Sequence, residues 1–142
     1  MAKILCATRG GEASVRAQDA VIALAQEQNH IILFLYASDI DFLKHVSHGA
    51  RMDVVQNEMD HMGSFLLAIA CERAEKAGVE AQPVLAHGKL LDSIVEVADD
   101  DAEIELIVLG RPAEESVYEP SSIRRLVDKI QEITGVTTRI LP

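Results

Sequence analysis

The sequence predicts an α/β domain: a five-stranded parallel sheet with helices on both faces. Three observations predict it. Strand-length apolar runs alternate with helix-periodic segments along all 142 residues. The runs HIILFLYA and ELIVLG are apolar on both faces, as strands covered by helices on either side must be. Glycines punctuate the ends of the periodic segments, where chain reversals are needed.

The elements follow in order. Lys3–Thr8 (KILCAT) is a short apolar strand that stops at the turn signal Arg9-Gly10-Gly11. Glu12 to Gln28 places Ala13, Ala17, Ala20, Val21, Leu24 and Ala25 at helical spacing. His30–Ala37 is the second strand, apolar on both faces, and Ser38 to Ala50 has no clear period and reads as a long loop or short helical turns. From Asp53 to Ala77, Val55, Met59, Met62, Leu66, Ile69 and Arg73 mark a long amphipathic helix that Gly78 caps. Val79–Ala86 alternates, and Pro83 places it at a sheet edge because proline cannot donate to a ladder. After His87-Gly88, residues Leu90, Leu91, Ile94, Val95, Val97 and Ala98 share a helix face. The acidic Asp99–Asp101 reads as a solvated turn into the strand Ile104–Leu109. A last helix, Ser121 to Thr134, carries Leu126, Val127, Ile130 and Ile133 on one face and is capped by Gly135. Val136–Leu141 closes the chain as a strand, giving the order βαβαβαβαβ with right-handed crossovers in a single domain, residues 1–142.

Composition bounds the class. Hydrophobic residues make up 49% of the chain, without Trp and with few other aromatics, so the core is aliphatic. No apolar run reaches the length of a membrane span, and the start lacks a secretory pattern. Cys6 and Cys71 have neither metal-ligand nor redox spacing, so two buried thiols in a cytoplasmic protein are expected. A formal charge of −10 disfavours nucleic acids and anionic membranes as partners.

Together the opening KILCATRGGEAS, the strand HIILFLYASD and the strand LIVLG before the last helix make the whole chain resemble the universal stress protein family. The resemblance implies a doubly wound domain that dimerises, often through its last strand. It also implies one of two types, ATP-binding or not. ATP binders share glycine, two residues, glycine, nine residues, glycine, then serine or threonine. Here Gly110 matches the first glycine and Ala113 replaces the second. Ile123 and Arg124 stand where the final pair belongs, and Ser121-Ser122 is the nearest substitute. Arg9 replaces a usual Asp after the first strand, and Gly11 a usual Ser. Thr8, Ala37 and Leu109 match other family contact positions. With glycines lost and Pro112 inserted, the family's usual ATP binding is not expected, although ATP or AMP remains the alternative ligand.

The loop after Gly110 is where an α/β sheet binds ligands, yet a phosphate cradle needs glycines so that backbone amides can approach an anion. At least three of Arg9, Arg111, Arg124 and Arg125 would converge there, because strands one and four are neighbours at the switch point of a doubly wound sheet. The candidate nucleotide or small-anion site is therefore Thr8, Arg9, Gly10, Ala37, Leu109, Gly110, Arg111, Ser121, Ser122 and Arg124, with guanidinium forks in place of backbone amides. The favoured reading is that Glu114, Glu115 and Glu119 neutralise these arginines and that Arg124 pairs with Asp128 at i,i+4.

Other side chains carry less. His45 and His48, near Asp39, Asp41 and His61, lack a metal-ligand spacing, so no metal is expected. Ser14, Ser93 and Ser121 lack the glycines of a nucleophile elbow, and Gly88-Lys89 lacks phosphate-loop spacing. Met52, Met59 and Met62 read as core or interface. The strand Val136, Thr137, Thr138, Arg139, Ile140, Leu141 would lie at an open sheet edge, and pairing with a second copy would cover it as a C2 dimer. The expectation is thus a homodimeric regulatory or stress-response protein acting through a protein client or a small anion, with no catalytic residue assigned. The alternative is an ATP- or AMP-binding switch, with slow ATPase activity, in which arginines replace the glycine-rich loop.

Overall fold

A computed structural model describes residues 2–9, 12–39, 51–110 and 120–141. The elements are β1 (Lys3–Ala7), α1 (Glu12–Gln28), β2 (Ile31–Ser38), α2 (Met52–Lys76), β3 (Ala81–His87), α3 (Leu90–Asp100), β4 (Ile104–Gly110), α4 (Pro120–Thr134) and β5 (Thr137–Leu141). The strands form one sheet in the order β3-β2-β1-β4-β5, with every neighbouring pair parallel. This is the expected doubly wound arrangement, with β1 and β4 adjacent where the winding reverses.

The central strands are apolar on both faces because each face is covered. On one, Ile4, Cys6, Ile32, Phe34 and Tyr36 pack with Val21, Ala25, Leu67, Ala70 and Ala74 of α1 and α2. On the other, Leu5, Leu33, Leu35, Ile107 and Leu109 pack with Ile94 of α3 and Ile130 of α4. Burying one such aliphatic or aromatic side chain stabilises by about 1.5–3 kcal/mol, so these two aliphatic layers dominate the fold. Pro83 lies on β3, an edge strand as expected, paired with Phe34.

Several boundaries differ from the sequence reading. Thr8 lies beyond β1, and β2 runs one residue later than expected, so Ser38 is a buried strand residue rather than the start of a loop. Asn29 ends α1 in the left-handed region (φ 56°), which its short amide side chain tolerates. Val79 is drawn back onto α2 by its N–H to the Ala74 carbonyl (2.9 Å), so β3 starts only at Ala81. The C-cap of α2 is Ala77, and Gly78 follows it with φ 78°. Val136 precedes β5 rather than belonging to it. Asp99 and Asp100 end α3, while Asp101 is its C-cap and pairs with Lys3 Nζ at 2.7 Å instead of standing in a solvated turn.

The larger correction concerns α2. Its buried residues are Gly63, Leu67, Ala70, Cys71 and Ala74, whereas Met62, Phe65 and Ile69 are exposed. The helix lies so close to the sheet that a Cβ on Gly63 would stand 2.5 Å from Tyr36 Cδ1. Small residues permit that approach, and Met62, Phe65 and Ile69 are turned outward while Leu67 is buried. A similar shift occurs on α4, where Ile123 is buried and Ile133 is half exposed.

Candidate functional site

The carboxyl ends of β1, β2 and β4 meet at the switch point. Ala7 is in register with both Leu35 and Leu109, so Thr8 and Gly110 follow side by side. The Thr8 N–H continues the ladder by donating to the Leu35 carbonyl at 2.8 Å. β2 runs on past this point, with Ala37 partly buried and paired to Ala86 of β3. Leu109 is 3% exposed and serves as core, while Gly110 pairs with Leu141. The fold therefore sets Thr8, Leu109 and Gly110 at the carboxyl ends of β1 and β4, with Ala37 further along β2.

The polar surroundings of Thr8 come from residues outside that set. Its Oγ1 accepts a hydrogen bond of 2.6 Å from Gln18 Nε2 of α1 and lies 3.4 Å from the Arg9 carbonyl. Arg73 Nη1 of α2 donates to Gln18 Oε1 at 2.6 Å, and Arg73 Nη2 pairs with Asp19. Thr8 and Gln18 are both buried, so this chain of bonds satisfies two side chains that would otherwise be costly to desolvate. It ties α1 and α2 to the floor of the switch point. The sequence carried a signal for it: Gln18 shares its helix face with Val21, Ile22 and Ala25, and Arg73 interrupts an apolar stripe.

The cationic candidates are less assembled. Arg9 is exposed, and its backbone N–H donates to Ser14 Oγ at 2.9 Å. Ser122, Arg124 and Arg125 are exposed on the first turns of α4, and Ser121 lies in the first turn of the same helix. Arg124 and Asp128 form no ion pair, contrary to expectation; both side chains are exposed, where such a pair gains little against solvation and side-chain entropy. Gly10, Arg111, Ala113, Glu114, Glu115 and Glu119 lie outside the described residues, as do Asp41, His45 and His48.

A second polar cluster joins the carboxyl ends of β2 and β3. Gln56 Nε2 of α2 donates to Ser38 Oγ (2.8 Å) and to Asp60 Oδ1 (2.9 Å). The same Asp60 oxygen lies 2.9 Å from His87 Nε2, and the Gly88 N–H donates to the Ser38 carbonyl at 2.9 Å. Burial, with Asp60 adding to it, raises the Tyr36 hydroxyl pKa. Ser38 is held by Gln56 and has no hydrogen bond to His87, so no serine–histidine–aspartate relay forms here among the described residues. Among the described residues no group of three or more His, Cys, Asp and Glu side chains could hold a metal ion.

Neither cysteine is built for reaction. Burial pushes the Cys6 thiol up to about 12 and also raises Cys71, so both stay protonated at neutral pH. The switch point thus offers a shaped, hydrogen-bonded floor without an activated nucleophile among the described residues.

Known proteins match both the sequence and this architecture. The model of the universal stress protein family matches residues 1–127. Universal stress protein YxiE of Bacillus subtilis is 29% identical over 116 residues, covering 76% of this chain and 77% of that protein. A universal stress protein family structure from Burkholderia pseudomallei superposes with a TM-score of 0.77 at 21% identity, covering 99% of this chain and 96% of the other. An Arabidopsis thaliana family member with AMP bound gives 0.67 at 13% identity, with 99% and 91% covered. Other universal stress protein structures with this fold are complexes with cAMP and with dAMP. No helix among the described residues is long and apolar enough to cross a membrane.

Proposed function

The chain belongs to the universal stress protein family, and from that premise we propose that it is a homodimeric, cytoplasmic regulator that works through protein contacts. It does not hold ATP in the family's usual way. One observation carries this reading. β1 and β4 end together at the switch point, where a phosphate would be cradled, yet the chain after Gly110 continues Arg111-Pro112-Ala113 in place of glycine. Proline removes an amide donor, and a Cβ keeps backbone from approaching an anion closely. The Thr8 hydroxyl beside it is already bound by Gln18.

Dimerisation is supported by β5, an edge strand whose Thr137 and Arg139 are exposed. The buried thiols Cys6 and Cys71 accord with a reducing compartment. Light scattering of the full chain should give twice the 15.5 kDa chain mass; a monomer would overturn the dimer. Denaturing the freshly purified protein and chromatographing the supernatant should release no nucleotide, and a stoichiometric yield of ATP or AMP would overturn the main reading.

A second reading is an adenine-nucleotide switch, with slow ATP hydrolysis, in which arginines replace the glycine cradle. The relatives with AMP, cAMP and dAMP favour it. Calorimetry with AMP, cAMP, ATP and inorganic phosphate tests it: binding that is lost in Arg9→Ala or Arg124→Ala would establish the switch, and no heat with any ligand would remove it.

A further inference from the structure

The surface between α3 and α4 is apolar and acidic in an ordered way. Leu91 and Val95 of α3 and Ile133 of α4 line a groove of about 420 Å³, and Ile133 is 50% exposed. Asp92, Glu96, Asp99 and Asp100 of α3 form its rim. Asp92–Glu96 and Glu96–Asp100 are like-charge pairs at i,i+4, with Glu96–Asp99 at i,i+3, an arrangement that destabilises a helix. Asp99 and Asp100 also occupy the last turn, where the helix dipole favours cations and α3 has none. Within the described residues none of these carboxylates is in an ion pair; the nearby Lys3 is taken by Asp101.

We propose that the α3–α4 groove is a docking site for a cationic amphipathic helix of a partner protein. The inference rests on the reading of this chain as one that acts through protein contacts, and it names the partner's chemistry. An apolar stripe on the incoming helix would cover Leu91, Val95 and Ile133. Lysines or arginines flanking that stripe would meet the acidic rim and complement the carboxyl end of α3. The 11 residues of α3 offer about three turns for such a helix. A second copy of this chain is disfavoured, because an isologous contact here sets each rim against its own image. Anionic lipids and nucleic acids are repelled by the same rim.

The probe is a synthetic helical peptide with leucines on one face and lysines flanking them. Its controls are a scrambled peptide of equal composition and a version with glutamate for lysine. Binding is measured by fluorescence anisotropy at two salt concentrations and mapped on the full-length protein by amide chemical shifts. The patterned peptide should bind at least about tenfold tighter than the scrambled one, with shifts confined to α3 and α4. Glu96→Lys/Asp99→Lys and, separately, the surface change Ile133→Ser should each weaken it by about tenfold. Equal binding of patterned and scrambled peptides, or shifts mapping elsewhere, would overturn the proposal. So would unchanged affinity in the charge-reversed protein, or light scattering showing that these changes abolish self-association. The shift map uses the unmutated protein, so a variant that fails to fold leaves the test intact. Release of bound nucleotide would sink the main functional reading without touching this result, and peptide failure would sink only the groove.

Discussion

On one face of the sheet, α2 sets Gly63, Ala70, Cys71 and Ala74 against the strands and leaves Met62, Phe65 and Ile69 exposed. On the other, α4 seats the fully buried Ile130 against β-strand leucines while α3 seats Ile94. The first layer is close-packed on small residues and braced by polar bonds through Gln18 and Arg73. The second packs on branched aliphatic side chains such as Ile94 and Ile130 and carries an acidic rim that has no ion pair among the described residues. The difference teaches that helix-to-sheet distance, rather than hydrophobicity alone, decides which stripe of a helix is core. It also divides labour: the braced layer floors the switch point, while the other presents an open apolar and acidic surface.

The sharpest way to break this comparison is to shave a buried side chain on one face and an exposed one on the other. Ile130→Ala should cost about 2–5 kcal/mol, because it removes a fully buried side chain and leaves a cavity, whereas Phe65→Ala should stay within about 0.5 kcal/mol. Urea denaturation of both variants checks this, and a large loss at Phe65 would mean that α2 is seated differently. Next is Gly63→Ala. Alanine gains about 1 kcal/mol in helix propensity, but its Cβ would lie 2.5 Å and 2.8 Å from Tyr36 ring atoms. A net destabilisation of about 1–3 kcal/mol is expected, and a stabilised protein would refute the close approach.

Gln18→Ala tests the bracing. It strands the buried Thr8 hydroxyl and removes a partner of Arg73, so about 1–3 kcal/mol should be lost. Hydrogen exchange should quicken at Thr8 and around Arg73 more than in α3 and α4; uniform exchange would deny a local brace.

The smallest effect concerns Lys3 and Asp101, which link β1 to the end of α3. The hydrogen bond from Lys3 holds the Asp101 carboxyl below its ordinary value, and the same bond holds the Lys3 ammonium above its own. For Asp101 the contribution is fully present above the unfolded carboxylate pKa of about 4 and is lost as pH falls through the depressed folded value. For Lys3 it is fully present below about 10.4 and is lost as pH rises through the raised folded value. Lys3→Met should therefore lower the urea midpoint slightly at pH 7 and by less at pH 3. An equal gap at both pH values would show that the pair does not act by charge.

Much of this was legible in the sequence because periodicity is local. The βαβαβαβαβ order, the edge position of β3 at Pro83 and the adjacency of β1 and β4 all follow from alternating patterns and the handedness of crossovers. At the site, the resemblance named Thr8, Ala37, Leu109 and Gly110, and the structure places them at or beside the carboxyl ends of β1, β2 and β4. Gln18 escaped attention because a single polar residue on an apolar helix face has no partner until α2 is packed beside it. The pairing of Arg124 with Asp128 was misjudged for the opposite reason: spacing permits the pair, but exposure leaves little to hold it.

By itself, then, the sequence determined the class, the order of elements along the chain and the absence of glycine at Arg111, Pro112 and Ala113, since each is written in residue type and spacing along the chain. Only the tertiary structure decided that α2 buries its small residues, that Gln18 and Arg73 brace Thr8, and that the acids of α3 border an open groove. Those features depend on distances between elements far apart in sequence, and such distances are set by how side chains from different segments fill the same space.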